Sequence, residues 1–160
     1  MVIEAKICGI NDAAAMEAAA EGGAAYIGLN FYPPSPRAVS AERAGELAAL
    51  AGEAFKVGLF VDPDDALLEA TLAAVPLDII QLHGQESPAR VAAIRRRFTL
   101  PVMKAIKLAA ADDLAEAGRQ QEIADRLLFD AKAPKEMAGA LPGGNALAFD
   151  WRLLAGRRWE

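Results

Sequence analysis

The chain has 160 residues, 54% of them hydrophobic, and a formal net charge of −5. Such a length and composition describe one globular domain, 1–160, able to bury an ordinary core. The acidic balance gives no electrostatic footprint for nucleic acid, and the run Arg95, Arg96, Arg97 reads as the solvated face of a helix. A lone cysteine, Cys8, cannot form an internal disulfide, which fits a reducing compartment. No signal-peptide pattern opens the chain, and no segment reaches the roughly 18 apolar residues of a membrane span. The expectation is a cytoplasmic protein with neither membrane nor nucleic acid among its partners.

Aliphatic and β-branched runs at 3–8, 24–29, 55–61, 78–83, 101–107 and 126–130 predict six strands. Alanine-rich stretches of helical period between them predict helices over 12–21, 41–51, 63–74, 88–98 and 111–124. Ser40 and Ser87 are suited to cap two of these helices, Pro88 to the first turn after Ser87, and Gly22-Gly23 to close the first helix. Beyond them FDWRLLAG, 149–156, reads as a sixth helix, and the terminal RRWE as the approach to a seventh strand.

Strict β-α alternation needs crossover connections, so the sheet is expected to be parallel and covered by helices. The strands recur at intervals close to those of a small (β/α)8 barrel, with an open doubly wound sheet as the alternative. Polar groups favour the barrel. They stand at nearly every strand end (Lys6 and Cys8, Asn30, Asp62, Gln81 and His83, Lys104 and Lys107, Asp130 and Lys132), where an open sheet would concentrate them at one switch point. Six units of about 25 residues fill the chain, whereas eight would need about 200, so the TIM-barrel-type domain is expected to be incomplete at its carboxyl end.

Four motifs carry candidate chemistry. In KICGI the two-residue period of a strand puts Lys6 and Cys8 on one face, where the ammonium favours the thiolate and makes it a usable base; a packed core cysteine is the bland alternative. In LLFDAK, Asp130 follows three apolar residues, so partial burial is expected to raise its pKa and let it hold a proton for acid catalysis, with Lys132 pulling the other way. A helix-capping or loop-ordering role is the rival for Asp130. In NFYPPSPR a proline-stiffened loop ends at Arg37, a residue suited to a planar carboxylate. In DIIQLHG, Gln81 and His83 share a face at the end of the fourth strand and are expected to line the site. One His, one Cys and scattered carboxylates offer no metal-ligand spacing. GGNALAFDW, 143–151, is a weak sign of close ligand approach.

Together KICGI, NFYPPSPR, DIIQLHG, LLFDAK and the following GGN-x-x-x-FDW resemble, in order and spacing, the phosphoribosylanthranilate isomerases. The resemblance implies a cofactor-free and metal-free Amadori rearrangement of N-(5-phosphoribosyl)anthranilate to 1-(2-carboxyphenylamino)-1-deoxyribulose 5-phosphate, on the route to tryptophan. It implies that Asp130 protonates the ribose ring oxygen, that Cys8 removes the proton from the adjacent sugar carbon, and that Arg37 holds the anthranilate carboxylate. Lys6, Gln81 and His83 are expected to contact the small-molecule substrate. Phosphate ligands are expected beyond Glu160, in the loops after strands seven and eight. An open barrel would expose strand edges and favour self-association or a complementing segment. The rival readings are a non-catalytic truncated barrel and another phosphosugar barrel such as indole-3-glycerol-phosphate synthase; one histidine argues against a metal-dependent epimerase.

Overall fold

A computed structural model describes residues 3–134, 136–137, 139–157 and 159. They fall into two compact units, Met1–Ile80 and Gln81–Glu160.

In the first unit strands and helices alternate as β1 (Lys6–Cys8), α1 (Ala13–Glu21), β2 (Tyr26–Asn30), α2 (Ala41–Ala48), β3 (Phe55–Phe60) and α3 (Asp65–Ala74), followed by the first half of β4 (Ile79–Leu82). The strands are hydrogen-bonded in sequence order and run parallel, with Cys8 opposite Gly28 and Asn30 opposite Leu59. Every residue of β2 is buried, as expected of a parallel strand covered on both faces. Ile27 and Leu29 point to one face, fully buried, while Tyr26, Gly28 and Asn30 point to the other. Each fully buried leucine or isoleucine contributes roughly 1.5–3 kcal/mol of burial.

Side-chain caps start the helices. Asp12, Ser40 and Asp64 accept hydrogen bonds from the backbone N–H of Ala15, Arg43 and Leu67. Gly22 ends α1 and Gly23 follows in the left-handed region, as the sequence predicts. The first strand is shorter than expected. Ala5 already accepts from the N–H groups of Ala25 and Tyr26, but the ladder begins only at Lys6.

The second unit runs from the latter half of β4 through α4 (Pro88–Phe98), β5 (Val102–Leu108), α5 (Leu114–Gln121) and β6 (Arg126–Ala131). Ser87 caps α4 through Arg90 N–H, and Thr99, in the left-handed region, ends it. Arg95, Arg96 and Arg97 are exposed. The β5–β6 pairing is parallel, with Lys107 opposite Asp130. Ile106 and Leu108 pack with Leu114 and Ala117 of α5, joined by Leu127 and Phe129 of β6. Strand alternation therefore turns Leu128 and Asp130 to the face away from α5.

One local device is used twice. Asp78, just before β4, accepts from Lys56 N–H at the start of β3 and pairs with the Lys56 ammonium, both at 2.7 Å. Asp125, just before β6, accepts from Val102 N–H at the start of β5 and pairs with Arg95.

Two expected helices are corrected. The stretch 111–113 is a 3-10 turn ahead of α5, because the Asp113 carboxylate folds back onto the N–H groups of Ala109 and Ala110 and tightens the chain. The expected sixth helix is a four-residue 3-10 turn, Trp151–Leu154, started by Asp150 and followed by Gly156 in the left-handed region. Of RRWE, Arg158 and Glu160 lie outside the described residues, and Arg157 and Trp159 are in no strand.

Candidate active site

In the first unit the structure gathers Lys6, Cys8 and Arg37. Cys8 ends β1 with its thiol exposed. Across the ladder, a Cβ at Gly28 would lie 2.9 Å from Cys8 Sγ and 3.0 Å from Lys6 Nζ, so the thiol and the ammonium both occupy the space that this glycine leaves open. The expectation that the two share one face holds. Gly9, with φ +80°, then turns the chain in a conformation that disfavours a side chain. A Cβ there would also fall 2.8 Å from Arg37 Cδ. Arg37 lies against this turn and donates from Nη1 to the Cys8 carbonyl at 3.3 Å.

The loop that delivers Arg37 is held by more than its prolines. Asn30, the last residue of β2, donates from Nδ2 to Ser35 Oγ at 3.0 Å and accepts Tyr32 N–H at 2.9 Å. The same Ser35 hydroxyl accepts Arg37 N–H at 3.2 Å, and Val39 N–H closes onto the Asn30 carbonyl. Both Asn30 and Ser35 are buried. Net hydrogen bonds of this kind contribute about 0.5–1.5 kcal/mol each, enough to favour one loop conformation. Sequence reading overlooked Asn30 and Ser35 as the fastening; the available sign was an amide at a strand end followed five residues later by a hydroxyl.

In the second unit Gln81, His83 and Asp130 form a hydrogen-bonded row. Gln81 Nε2 is 3.0 Å from His83 Nδ1, and His83 Nε2 is 3.1 Å from Asp130 Oδ2. An amide nitrogen can only donate, so Nδ1 accepts and the ring carries its hydrogen on Nε2, which donates to Asp130. Ala131 N–H donates to Asp130 Oδ1 at 2.9 Å, and Gly144 N–H is a further donor to this carboxylate. Gly143 packs so closely that a Cβ there would come within 2.7 Å of both Asp130 Oδ2 and His83 Cε1.

The expected pKa of Asp130 is thereby reversed. The His83 hydrogen bond outweighs partial burial, and with the two backbone donors it holds the carboxyl below its usual value rather than above it. Lys132 pairs instead with Asp113.

A buried ion pair, also overlooked, braces the chain just after His83. Lys104 Nζ lies 2.9 Å from Glu86 Oε2 and donates to the carbonyls of Gly84 and Ala105, both at 3.0 Å. Glu86 Oε1 accepts Gly84 N–H, and Gln120 of α5 donates to the Glu86 carbonyl. A cavity of about 510 Å³ opens beside this pair, with Glu86, Lys104, Lys107, Asp113, Glu116 and Lys132 in its walls. Acids face its bases, so the lining lacks the one-signed potential that collects an anion.

Among the described residues no three of His, Cys, Asp and Glu gather as metal ligands, and no helix is long and apolar enough to cross a membrane.

Comparison with known proteins identifies the family and the fold. The family model of N-(5'phosphoribosyl)anthranilate (PRA) isomerase matches residues 5–159. The chain is 56% identical over 160 residues to N-(5'-phosphoribosyl)anthranilate isomerase of Paramagnetospirillum magneticum, covering 99% of itself and 74% of that relative. Against the protein of the same name in Rhodospirillum centenum the identity is 58%, with the same coverage. Among solved structures, phosphoribosyl anthranilate isomerase from Thermotoga maritima superposes with a TM-score of 0.79 at 31% identity, over 96% of this chain and 70% of that one. A phosphoribosyl anthranilate isomerase in complex with reduced 1-(o-carboxyphenylamino)-1-deoxyribulose 5-phosphate gives 0.72 at 30% identity, over 82% and 66%. The fold is of the (β/α)8-barrel type, with six parallel strands and five α-helices among the described residues.

Proposed function

The chain belongs to the N-(5'-phosphoribosyl)anthranilate isomerase family, and from that premise we propose which of its residues carry the isomerisation. The activity is conversion of N-(5-phosphoribosyl)anthranilate to 1-(2-carboxyphenylamino)-1-deoxyribulose 5-phosphate, a step of tryptophan biosynthesis. The relatives share that name, which favours the isomerase over indole-3-glycerol-phosphate synthase and over a non-catalytic barrel.

The proposed mechanism is an acid-base Amadori rearrangement. Asp130 protonates the ribose ring oxygen, the ring opens to an iminium, and that electron sink acidifies the neighbouring C–H. Cys8, as thiolate beside the Lys6 ammonium, removes the proton. Arg37 binds the anthranilate carboxylate through paired hydrogen bonds, which keeps the reacting carbon in register. At rest Asp130 is a carboxylate with three donors, so the reaction requires that substrate exclude water from it and shift it toward its acid form.

The observation that carries this reading is the exposed Cys8 thiol sharing with Lys6 the space over Gly28, with Arg37 on the next turn. Cys8→Ala and Asp130→Asn should each lower kcat by about a hundredfold or more, followed by anthranilate fluorescence. Near-normal turnover in both overturns the mechanism. A reducing, cytoplasmic setting, in which Cys8 stays a thiol, belongs to the same proposal. So does pairing of β1, whose Ile7 is exposed, with a second copy or a complementing segment. A monomeric mass by size-exclusion chromatography with light scattering would overturn that pairing.

A further inference from the structure

We propose that His83 is a positioning residue for Asp130 rather than a ligand of the substrate, with Gln81 setting which ring nitrogen carries the hydrogen. The inference rests on Asp130 being the acid of the proposed mechanism.

The ring has no nitrogen to spare. Nδ1 faces Gln81 and Nε2 faces Asp130, and the residue is only 6% exposed. A group that bound the substrate through this ring would have to break one of those bonds first. As it stands, every hydrogen-bonding atom of the imidazole is committed to fixing the Asp130 carboxylate.

The ring is also fixed from behind. The N–H and C=O of Gly84, the next residue, are held by Glu86 Oε1 and Lys104 Nζ. On the other side the Gly143 backbone closes over the pair, leaving no room for a Cβ. Displacing the ring would therefore disturb a buried ion pair or the Gly143 turn.

Gln81 adds a second property. It is 1% exposed, and its Oε1 accepts no hydrogen bond among the described residues, which is costly for a buried carbonyl oxygen. In the resting state its nitrogen donates to Nδ1. When the His83–Asp130 pair takes up one more proton, hydrogen appears on Nδ1, and either Nε2 or Asp130 Oδ2 carries the other. A half-turn of the Gln81 amide then brings Oε1 to accept from Nδ1–H. The same side chain thus serves both protonation states of the pair without moving the ring, and the acid can cycle in a fixed position.

The charged and titratable groups placed around Asp130 are His83 from the end of β4, Lys107 opposite it on β5, and Lys132 two residues along, engaged with Asp113. Of these, His83 is the one that hydrogen-bonds the carboxylate.

The test combines kinetics with NMR on the whole protein. In the wild type, ¹⁵N spectra of the neutral His83 ring should show hydrogen on Nε2 and a bare Nδ1; the opposite tautomer overturns the proposal whatever the variants do. His83→Asn, with His83→Gln as the second variant should the first not fold, should lower kcat by about tenfold or more while KM changes little. The Asp130 carboxyl, followed by ¹³C, should titrate at higher pH than in the wild type. A raised KM with unchanged kcat, or an unmoved Asp130 titration, overturns the inference. Asp130→Asn separates the two levels: if it leaves turnover intact, the acid assignment itself fails, whereas its loss alongside an unaffected His83 variant removes only the positioning role.

Discussion

Lys104 Nζ and Glu86 Oε2 lie 2.9 Å apart with their side chains only 3% and 1% exposed, so a full ion pair sits inside the second unit. Deleting one partner of a buried pair strands the other charge, at a cost of about 3–5 kcal/mol. Lys104→Met should therefore lower the urea midpoint sharply. The double variant Lys104→Met/Glu86→Leu should recover part of the loss. A double variant no more stable than Lys104→Met would show that the pair's hydrogen bonds, rather than its charges, hold the loop.

Acid should unfold the protein partly through Asp130. Its carboxyl sits below the ordinary value of 3.8 in the folded chain, chiefly because His83 donates to it. A group depressed in this way stabilises the fold fully above the unfolded value and loses that contribution as pH falls through the folded one. Asp113 and Glu116 are lowered as well, so the loss is shared. Asp130→Asn should flatten the fall in stability below about pH 4, measured by urea titration at stepped pH. An unchanged slope would mean that the three-donor cradle does not persist in solution.

Two glycines should prove intolerant for steric reasons. Gly28→Ala would press a methyl against Cys8 Sγ and Lys6 Nζ, so Cys8 should react more slowly with a small alkylating reagent and kcat should drop. Gly143→Ala would press on His83 and Asp130, with the same loss of kcat and no change in thiol reactivity. Equal alkylation rates in Gly28→Ala and wild type would contradict the shared space described for the thiol.

Ser35→Ala removes the acceptor shared by Asn30 and Arg37 N–H. A loop released in this way should raise KM more than it lowers kcat, because Arg37 is assigned to binding. Leaving buried donors without a partner costs about 1–3 kcal/mol. A fall in kcat at constant KM would place Arg37 in the chemical step instead.

The paired aspartates should matter for stability alone. Asp78→Ala and Asp125→Ala each remove charged hydrogen bonds at the amino-terminal ends of strands, worth about 1.5–3 kcal/mol. Thermal melts should register both, while turnover at a permissive temperature should stay near normal.

Much of the fold was legible because its signals are local. The cap at Ser87, the glycines closing α1 and the alternation that turns Lys6 and Cys8 to one face each depend on a few neighbouring residues. What escaped is set across longer separations. Lys104 sits in VMKAIKL like any polar residue of a half-buried strand; Glu86, eighteen positions earlier, with the Gly84 and Ala105 carbonyls, makes its burial tolerable. The direction of the Asp130 shift failed for the same reason. The apolar residues before it argue for desolvation, but His83, from another strand end, decides the sign. At 151–154 the error was local: the five residues between a capping aspartate and a glycine are too few for a helix to propagate.

The contacts around Cys8 are drawn from residues 6–37, and those around Asp130 from residues 81–144. Base and acid thus answer to separate stretches of the chain. A substitution that retunes one need not detune the other, so mutational drift can adjust the two halves of the proton inventory one at a time, and a recombination joint near residue 80 would transplant either set of neighbours whole.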